Sequence, residues 1–235
     1  MRPLIFIGTT NLDINFYSTA LPSVGQSLIG TTEEFAGGKG ANQAVAAARL
    51  GAMPYFATML GEDSAADSLM RNLAEFGVQT SKICKKPGSR SGKALILVAN
   101  DGTNMMGIDV GANEEFSPDD MLMALKDVPE DAVMVVEMGL PLDTCRAAFE
   151  NKKNRTLIFN PAPVRAQLTA ADCKLIDIIT PNETEAEELS GLHVSSIDQA
   201  FDAAMRLHNN GIAAVAITLG ANGVVYLDAK QRIHQ

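Results

Sequence analysis

"FAGGKGANQAVAAARLG", residues 35–51, sets three glycines around Lys39 and then runs into an alanine-rich stretch of helical composition. A helix starting here has its first backbone N–H groups cleared of Cβ atoms. They can approach a polar ligand closely, with Lys39 adding three donors and Asn42 an amide in the first turn. The competing reading is a permissive glycine-rich helix start with a solvated lysine. Two nucleotide motifs are excluded. A phosphate-binding P-loop needs GxxxxGK followed by Ser or Thr, whereas Gly40 follows Lys39 and no strand leads into the loop; the GxGxxG fingerprint fits neither "GGKGANQ" nor "GTTNLD" at residues 8–13.

Outward from this stretch, short β-rich runs alternate with helix-length amphipathic segments. The strands are "LIFIG", "YFATML", "AVMVVE", "TLIFN", "IDIIT" and "AAVAITLG"; helices are expected over Gly40–Leu50 and Ser64–Phe76. Such alternation predicts an α/β fold with a parallel sheet covered by helices on both faces. Ligands in these folds bind beyond the carboxyl ends of the strands. Polar or glycine-bearing segments follow several of them, at Thr9–Asp13, Glu137–Gly139, Asn160–Pro163, Pro181–Glu185 and Leu219–Gly223. Between Gly92 and Val110 the alternation breaks, and "NDG" predicts a hairpin because Asp and Gly tolerate the φ angles of tight turns. With segments near Ile14–Tyr17 and Leu28–Phe35 this hairpin is expected to form a small separate sheet, a lid. The triplet "GAN" recurs at 40, 111 and 220 without further support for a repeat.

The 235 residues are 46% hydrophobic and 20% charged, enough for one large α/β domain. A net charge of −9 argues against nucleic acid as a partner. No apolar run suggests a signal peptide or a membrane span, and a cytoplasmic location is expected. Cys84, Cys145 and Cys173 are widely spaced and read as reduced, mostly buried thiols.

The full string "GGKGANQAVAAARLG" resembles the N-terminal signature of the ribokinase-like (PfkB) carbohydrate kinases. The resemblance extends along the whole chain, through "TNLDIN", "NPAP" at 160–163, "TPNETEAEELSG" and "ITLGANG", and is closest to ribokinases. It implies a three-layer αβα domain over 1–235, incomplete at its C-terminus, with lid segments at about 14–36 and 92–110. It implies an ATP-dependent kinase acting on the 5-hydroxyl of ribose, a homodimer through the lid, and magnesium and potassium as cofactors, with the potassium loops outside these residues. By the same resemblance Asn11, Asp13, Gly38, Lys39 and Asn42 contact the sugar, with the glycines letting it lie against the backbone. Asn182, Glu185, Thr218 and Gly220 lie on the nucleotide side, Glu185 reaching magnesium through water. Asn182 and Glu185 also satisfy a helix capping box, and an Asx-turn would equally explain Asn11 and Asp13. His193, His208 and His234 match no motif and are no metal candidates.

Two departures matter. The DTxGAGD motif, which carries the family's catalytic aspartate and anion hole, is absent from these residues, so this 235-residue form is expected to be inactive. Gly139 stands where ribokinases usually carry a sugar-contacting glutamate, and Glu137, two residues earlier, is expected to share its face. A non-catalytic sugar-binding protein, or a kinase for another sugar or a nucleoside, are the alternatives.

Overall fold

The computed structural model describes residues 2–235. Along the chain run β1 (Leu4–Ile7), β2 (Asn11–Ser18), β3 (Thr31–Gly37), α1 (Lys39–Arg49), β4 (Tyr55–Gly61), α2 (Ser64–Glu75), β5 (Gln79–Lys86), β6 (Gly92–Ala99) and β7 (Asn104–Asp109). There follow α3 (Pro118–Leu125), β8 (Val133–Glu137), α4 (Leu142–Glu150), β9 (Thr156–Asn160), α5 (Ala170–Leu175), β10 (Ile178–Ile179), α6 (Glu183–Ser190), α7 (Ile197–Asn209), β11 (Ala214–Thr218), β12 (Val224–Asp228) and β13 (Arg232–His234). No helix among the described residues is long and apolar enough to cross a membrane.

The chain divides into two compact units, Gly8–Phe116 and Met1–Ile7 with Ser117–Gln235. In the second, the strands lie in the order β13-β12-β11-β10-β9-β8-β1. Pairing is parallel from β1 to β11 and antiparallel through β12 and β13. Near-continuous apolar runs such as Val133–Val136 suit strands covered on both faces. Met134, Val136, Leu157, Phe159, Val215 and Ile217 are fully buried, and Phe159 meets Phe149 of α4 edge-on with centroids 4.9 Å apart. Three helices here open with full capping boxes, at Ser117/Asp120, Thr169/Asp172 and Asn182/Glu185. These boxes supply acceptors to the backbone N–H groups that a helix start leaves unpaired.

In Gly8–Phe116, β4 and β5 pair in parallel, while β3-β2-β6-β7 form a separate four-stranded sheet. β2 pairs antiparallel with β3 and parallel with β6, and β6 turns back into β7 through the Asn100–Gly102 loop. The hairpin expected at "NDG" forms: the Gly102 N–H bonds Ala99 O, and the Asp101 carboxylate accepts from the Thr103 N–H.

Two local expectations change, and a third element was not expected. Asn11 and Asp13 lie inside β2 rather than in a turn after β1. The "IDIIT" strand shrinks to two residues, because the Asp177 carboxylate takes the Leu157 N–H and the Lys152 ammonium, and Pro181 can donate nothing to a ladder. The third, β5, carries Lys82, Lys85 and Lys86, the polar composition of an edge strand, and gave no alternating signal.

Helix α1 begins differently from the boxed helices. Its N-cap is Gly38 at φ 94°, with no side-chain cap and no acidic residue in the first turn. A Cβ on Gly38 would come within 2.5 Å of Thr10 Cα, and one on Gly40 within 2.7 Å of the Gly8 backbone. Gly38 and Gly40 thus let α1 sit against the protein's own Gly8–Asn11 segment. Gly40→Ala is expected to destabilise the chain by about 1–3 kcal/mol through this overpacking. Gly107→Ala, in β7 with nothing within 4 Å of a Cβ and an ordinary φ, should stay within about 0.5 kcal/mol. Urea unfolding of both variants checks the contrast.

Candidate functional site

Asn11 and Asp13 alternate with Leu12 and Ile14 along β2, so both project from one face of the small sheet. In register, Asn11 lies opposite Gly37 and Gly92, and Asp13 opposite Phe35 and Ala94. The Asp13 carboxylate occupies the space that a Cβ on Gly37 would need. It is half-buried, no donor among the described residues bonds it, and burial raises its pKa above the ordinary carboxylate value.

Two residues beyond Gly37, after the N-cap Gly38, the chain enters α1. The Ala41 N–H bonds Thr9 O at 3.1 Å and the Thr10 hydroxyl donates to Gly37 O at 3.1 Å, tying the helix start to the segment that leads into β2. Lys39 and Asn42 extend exposed side chains from that first turn. All five residues picked from the sequence for the sugar, Asn11, Asp13, Gly38, Lys39 and Asn42, therefore fall in Gly8–Phe116, on β2 and at the start of α1. Together they offer a carboxylate acceptor, amide groups, an ammonium and an uncapped helix N-terminus, a set suited to a polyhydroxylated ligand.

Asn113 was not picked. It lies in a 3-10 turn at Gly111–Glu115, is 1% exposed, and bonds Thr10, Asn11 and Val110. Its one sequence sign is the second "GAN" triplet, at 111–113.

The four nucleotide-side residues lie in the other unit, after β10 and β11. Asn182 caps α6: its Oδ1 accepts from the Glu185 N–H at 2.9 Å, and Glu185 Oε2 accepts from the Asn182 N–H at 2.9 Å. Glu185 is 8% exposed. A parallel bridge sets Asn182 beside Thr218, whose N–H bonds Pro181 O. Gly220, at φ 53°, has open space where a Cβ would be. No group of three or more His, Cys, Asp or Glu among the described residues could cage a metal ion.

Glu137 does not share a face with Gly139. β8 ends at Glu137, residues 138–139 turn, and the buried Glu137 carboxylate accepts from the Gly139 N–H at 2.7 Å. The Gly139 carbonyl accepts from Arg165 at 2.8 Å. Cys145 and Cys173 are buried, and burial, aided by the Glu137 charge, pushes the Cys145 thiol up to about 12.

A family model described as pfkB family carbohydrate kinase matches residues 1–235. The chain belongs to this family. It is 37% identical over 237 residues to a ribokinase of Haemophilus influenzae, covering 99% of this chain and 77% of that one. It is 34% identical over 231 residues to a deoxyribokinase of Salmonella typhimurium, covering 97% and 76%. The structure of Arabidopsis thaliana ribokinase complexed with ribose and ATP superposes with a TM-score of 0.87 at 27% identity, over 100% of this chain and 77% of that one. The fold is accordingly the α/β ribokinase-like one, with a seven-stranded sheet in one unit and, in the other, the β4–β5 pair and the four-stranded lid sheet. The chain spans about three quarters of the relatives it matches.

An unpaired, half-buried carboxylate opposes folding once ionised. Because the folded-state pKa of Asp13 is raised, the folded state holds the proton more tightly, and stability falls as pH rises from the ordinary carboxylate value through the raised one. Asp13→Asn is expected to melt higher than wild type at neutral pH, with the gap closing as pH falls below the carboxylate range. Thermal melts of both proteins across that range check the sign.

Proposed function

We propose that this chain is the sugar-binding and partial nucleotide-binding part of a ribokinase, a kinase that transfers the γ-phosphate of ATP to the 5-hydroxyl of ribose. The observation that carries the reading is the unpartnered Asp13 carboxylate on the same face as Asn11, next to the uncapped start of α1. Membership of the carbohydrate kinase family and the likeness to a ribokinase solved with ribose and ATP support it. In this reading Asp13 accepts from vicinal sugar hydroxyls, Asn11, Lys39 and Asn42 bind their oxygens, and Gly38 shapes the loop. The similar identity to a deoxyribokinase favours 2-deoxyribose as the second candidate.

On the nucleotide side, Thr218 and Gly220 border the phosphates of ATP, and Asn182 and Glu185 lie near them. Glu185 fits a magnesium ion held through water, since its second oxygen is outside the capping box and magnesium keeps most of its hydration shell. Bound magnesium would neutralise charge on the phosphates. The family's potassium requirement has no assigned residue in this chain. The DTxGAGD aspartate is not among the 235 residues either, so this form is proposed to bind sugar without useful turnover.

The test is calorimetric titration of ribose, 2-deoxyribose, arabinose, fructose and a nucleoside into wild type and Asp13→Ala. Ribose should bind wild type best, and Asp13→Ala should lose about 2–4 kcal/mol, roughly 30- to 1000-fold. Equal ribose affinity in the two proteins rejects the sugar assignment, and turnover of about one per second in a coupled assay rejects the inactivity. Glu185→Gln keeps a side chain that can complete the capping box, so it should weaken magnesium ATP while leaving the melting temperature unchanged.

The lid sheet is proposed as a homodimer contact. Leu95, Met105, Met106 and Ile108 are each more than half exposed, Leu95 and Met105 on one face of the sheet and Met106 and Ile108 on the other, so the hairpin presents apolar side chains to solvent on both sides. Sedimentation should show a dimer that Met105→Asp with Ile108→Asp converts to monomer. A wild type that stays monomeric at high concentration removes the dimer and leaves the sugar reading standing.

A further inference from the structure

We propose that Asn113 is a positioning residue that fixes which way the Asn11 amide points, and thereby sets the donor and acceptor pattern offered to the sugar; this rests on the sugar reading of Asn11 and Asp13. Asn113 Oδ1 accepts from the Thr10 N–H at 3.1 Å, while its Nδ2 donates to the Thr10 carbonyl at 3.1 Å. One residue's backbone thus presents both a donor and an acceptor to the same side-chain amide. Turning the Asn113 amide over would set donor against donor and acceptor against acceptor, so its orientation is forced. The Val110 carbonyl, accepting from Nδ2 at 2.9 Å, and the Thr58 hydroxyl, 3.5 Å from Oδ1, agree with that orientation.

The constraint passes on to Asn11. Asn113 Nδ2 lies 3.0 Å from Asn11 Oδ1 and shares its two hydrogens among that oxygen and the Thr10 and Val110 carbonyls, so Asn11 turns its oxygen rather than its own NH2 toward Asn113. Its NH2 has no partner among the described residues and stays available. On the shared face of β2 the ligand therefore meets a donor from Asn11 and, two residues on, an acceptor from Asp13. A freely rotating Asn11 could present either end and would discriminate less. Gly92 belongs to the same device: a Cβ there would collide with both Asn11 Oδ1 and Asn113 Nδ2. All the groups involved lie in Gly8–Phe116.

The experiment measures ribose affinity by calorimetry in wild type, Asn11→Ala, Asn113→Asp and the double variant, alongside hydrogen exchange of side-chain amides by NMR. Asn113→Asp keeps the shape but cannot donate, so Asn11 turns to offer its NH2 inward. Ribose binding should weaken about tenfold, as for one lost hydrogen bond. Asn11→Ala should weaken it similarly, and the double variant no further, because Asn113 acts through Asn11. Losses that multiply in the double variant would overturn the proposal, since a purely structural role gives independent effects. In ligand-free wild type the Asn113 NH2 should be protected from exchange and the Asn11 NH2 should exchange freely; the reverse overturns it. That readout decides the proposal even if no sugar binds, an outcome that would reject the sugar reading instead. Should Asn113→Asp fail to fold, Gly92→Ala serves in its place and is expected to release the Asn113 NH2 to exchange; persistent protection there counts against the device.

Discussion

The start of helix α1 lies in backbone contact with the Gly8–Asn11 segment, and the candidate sugar site depends on that approach. At the distances found, a single methyl group on Gly38 or Gly40 has no room. Because the backbones touch, the Thr10 hydroxyl and the Ala41 N–H can close hydrogen bonds across the contact. The same closeness sets Asp13 over Gly37, two residues before the helix begins. A half-buried carboxylate without a partner is unfavourable in such a place once ionised.

Much of the fold was legible because its signals are local. Val133–Glu137 and Thr156–Asn160 are continuous apolar runs, and "NDG" has few conformations other than a tight turn. Polar strands were harder to read. β2 alternates Asn11, Asp13 and Asn15 with apolar neighbours, a pattern that also suits a turn after β1, and only pairing with β3 and β6 makes it a strand. The string around Lys39 points to a candidate site but not to how its glycines pack. Whether a missing Cβ serves a ligand or another stretch of backbone depends on contacts some thirty residues apart. Asn113 was out of reach for the same reason: its meaning lies in Thr10 and Asn11, about one hundred residues earlier.

Helix starts along the chain are handled in different ways. α3, α5 and α6 spend their first-turn donors on Ser, Thr or Asn caps with an acidic residue three positions on. α1 has neither cap nor acid, so the partial positive charge of its N-terminus is left for something else. At α6 the cap residues are also the candidate nucleotide residues. One pair of side chains can then hold the helix start and remain within reach of a phosphate-bound ion, since the box uses a single oxygen of Glu185.

Every residue proposed for the sugar lies between Gly8 and Phe116, and every residue proposed for the nucleotide lies after Ser117. In evolutionary terms, the two specificities are carried on separate stretches of the gene. On the proposed assignment, changes confined to the first stretch act on the sugar contacts and changes confined to the second on the nucleotide contacts. Descendants that recognise a sugar but no longer act on it are therefore only a short mutational walk from a kinase of this design.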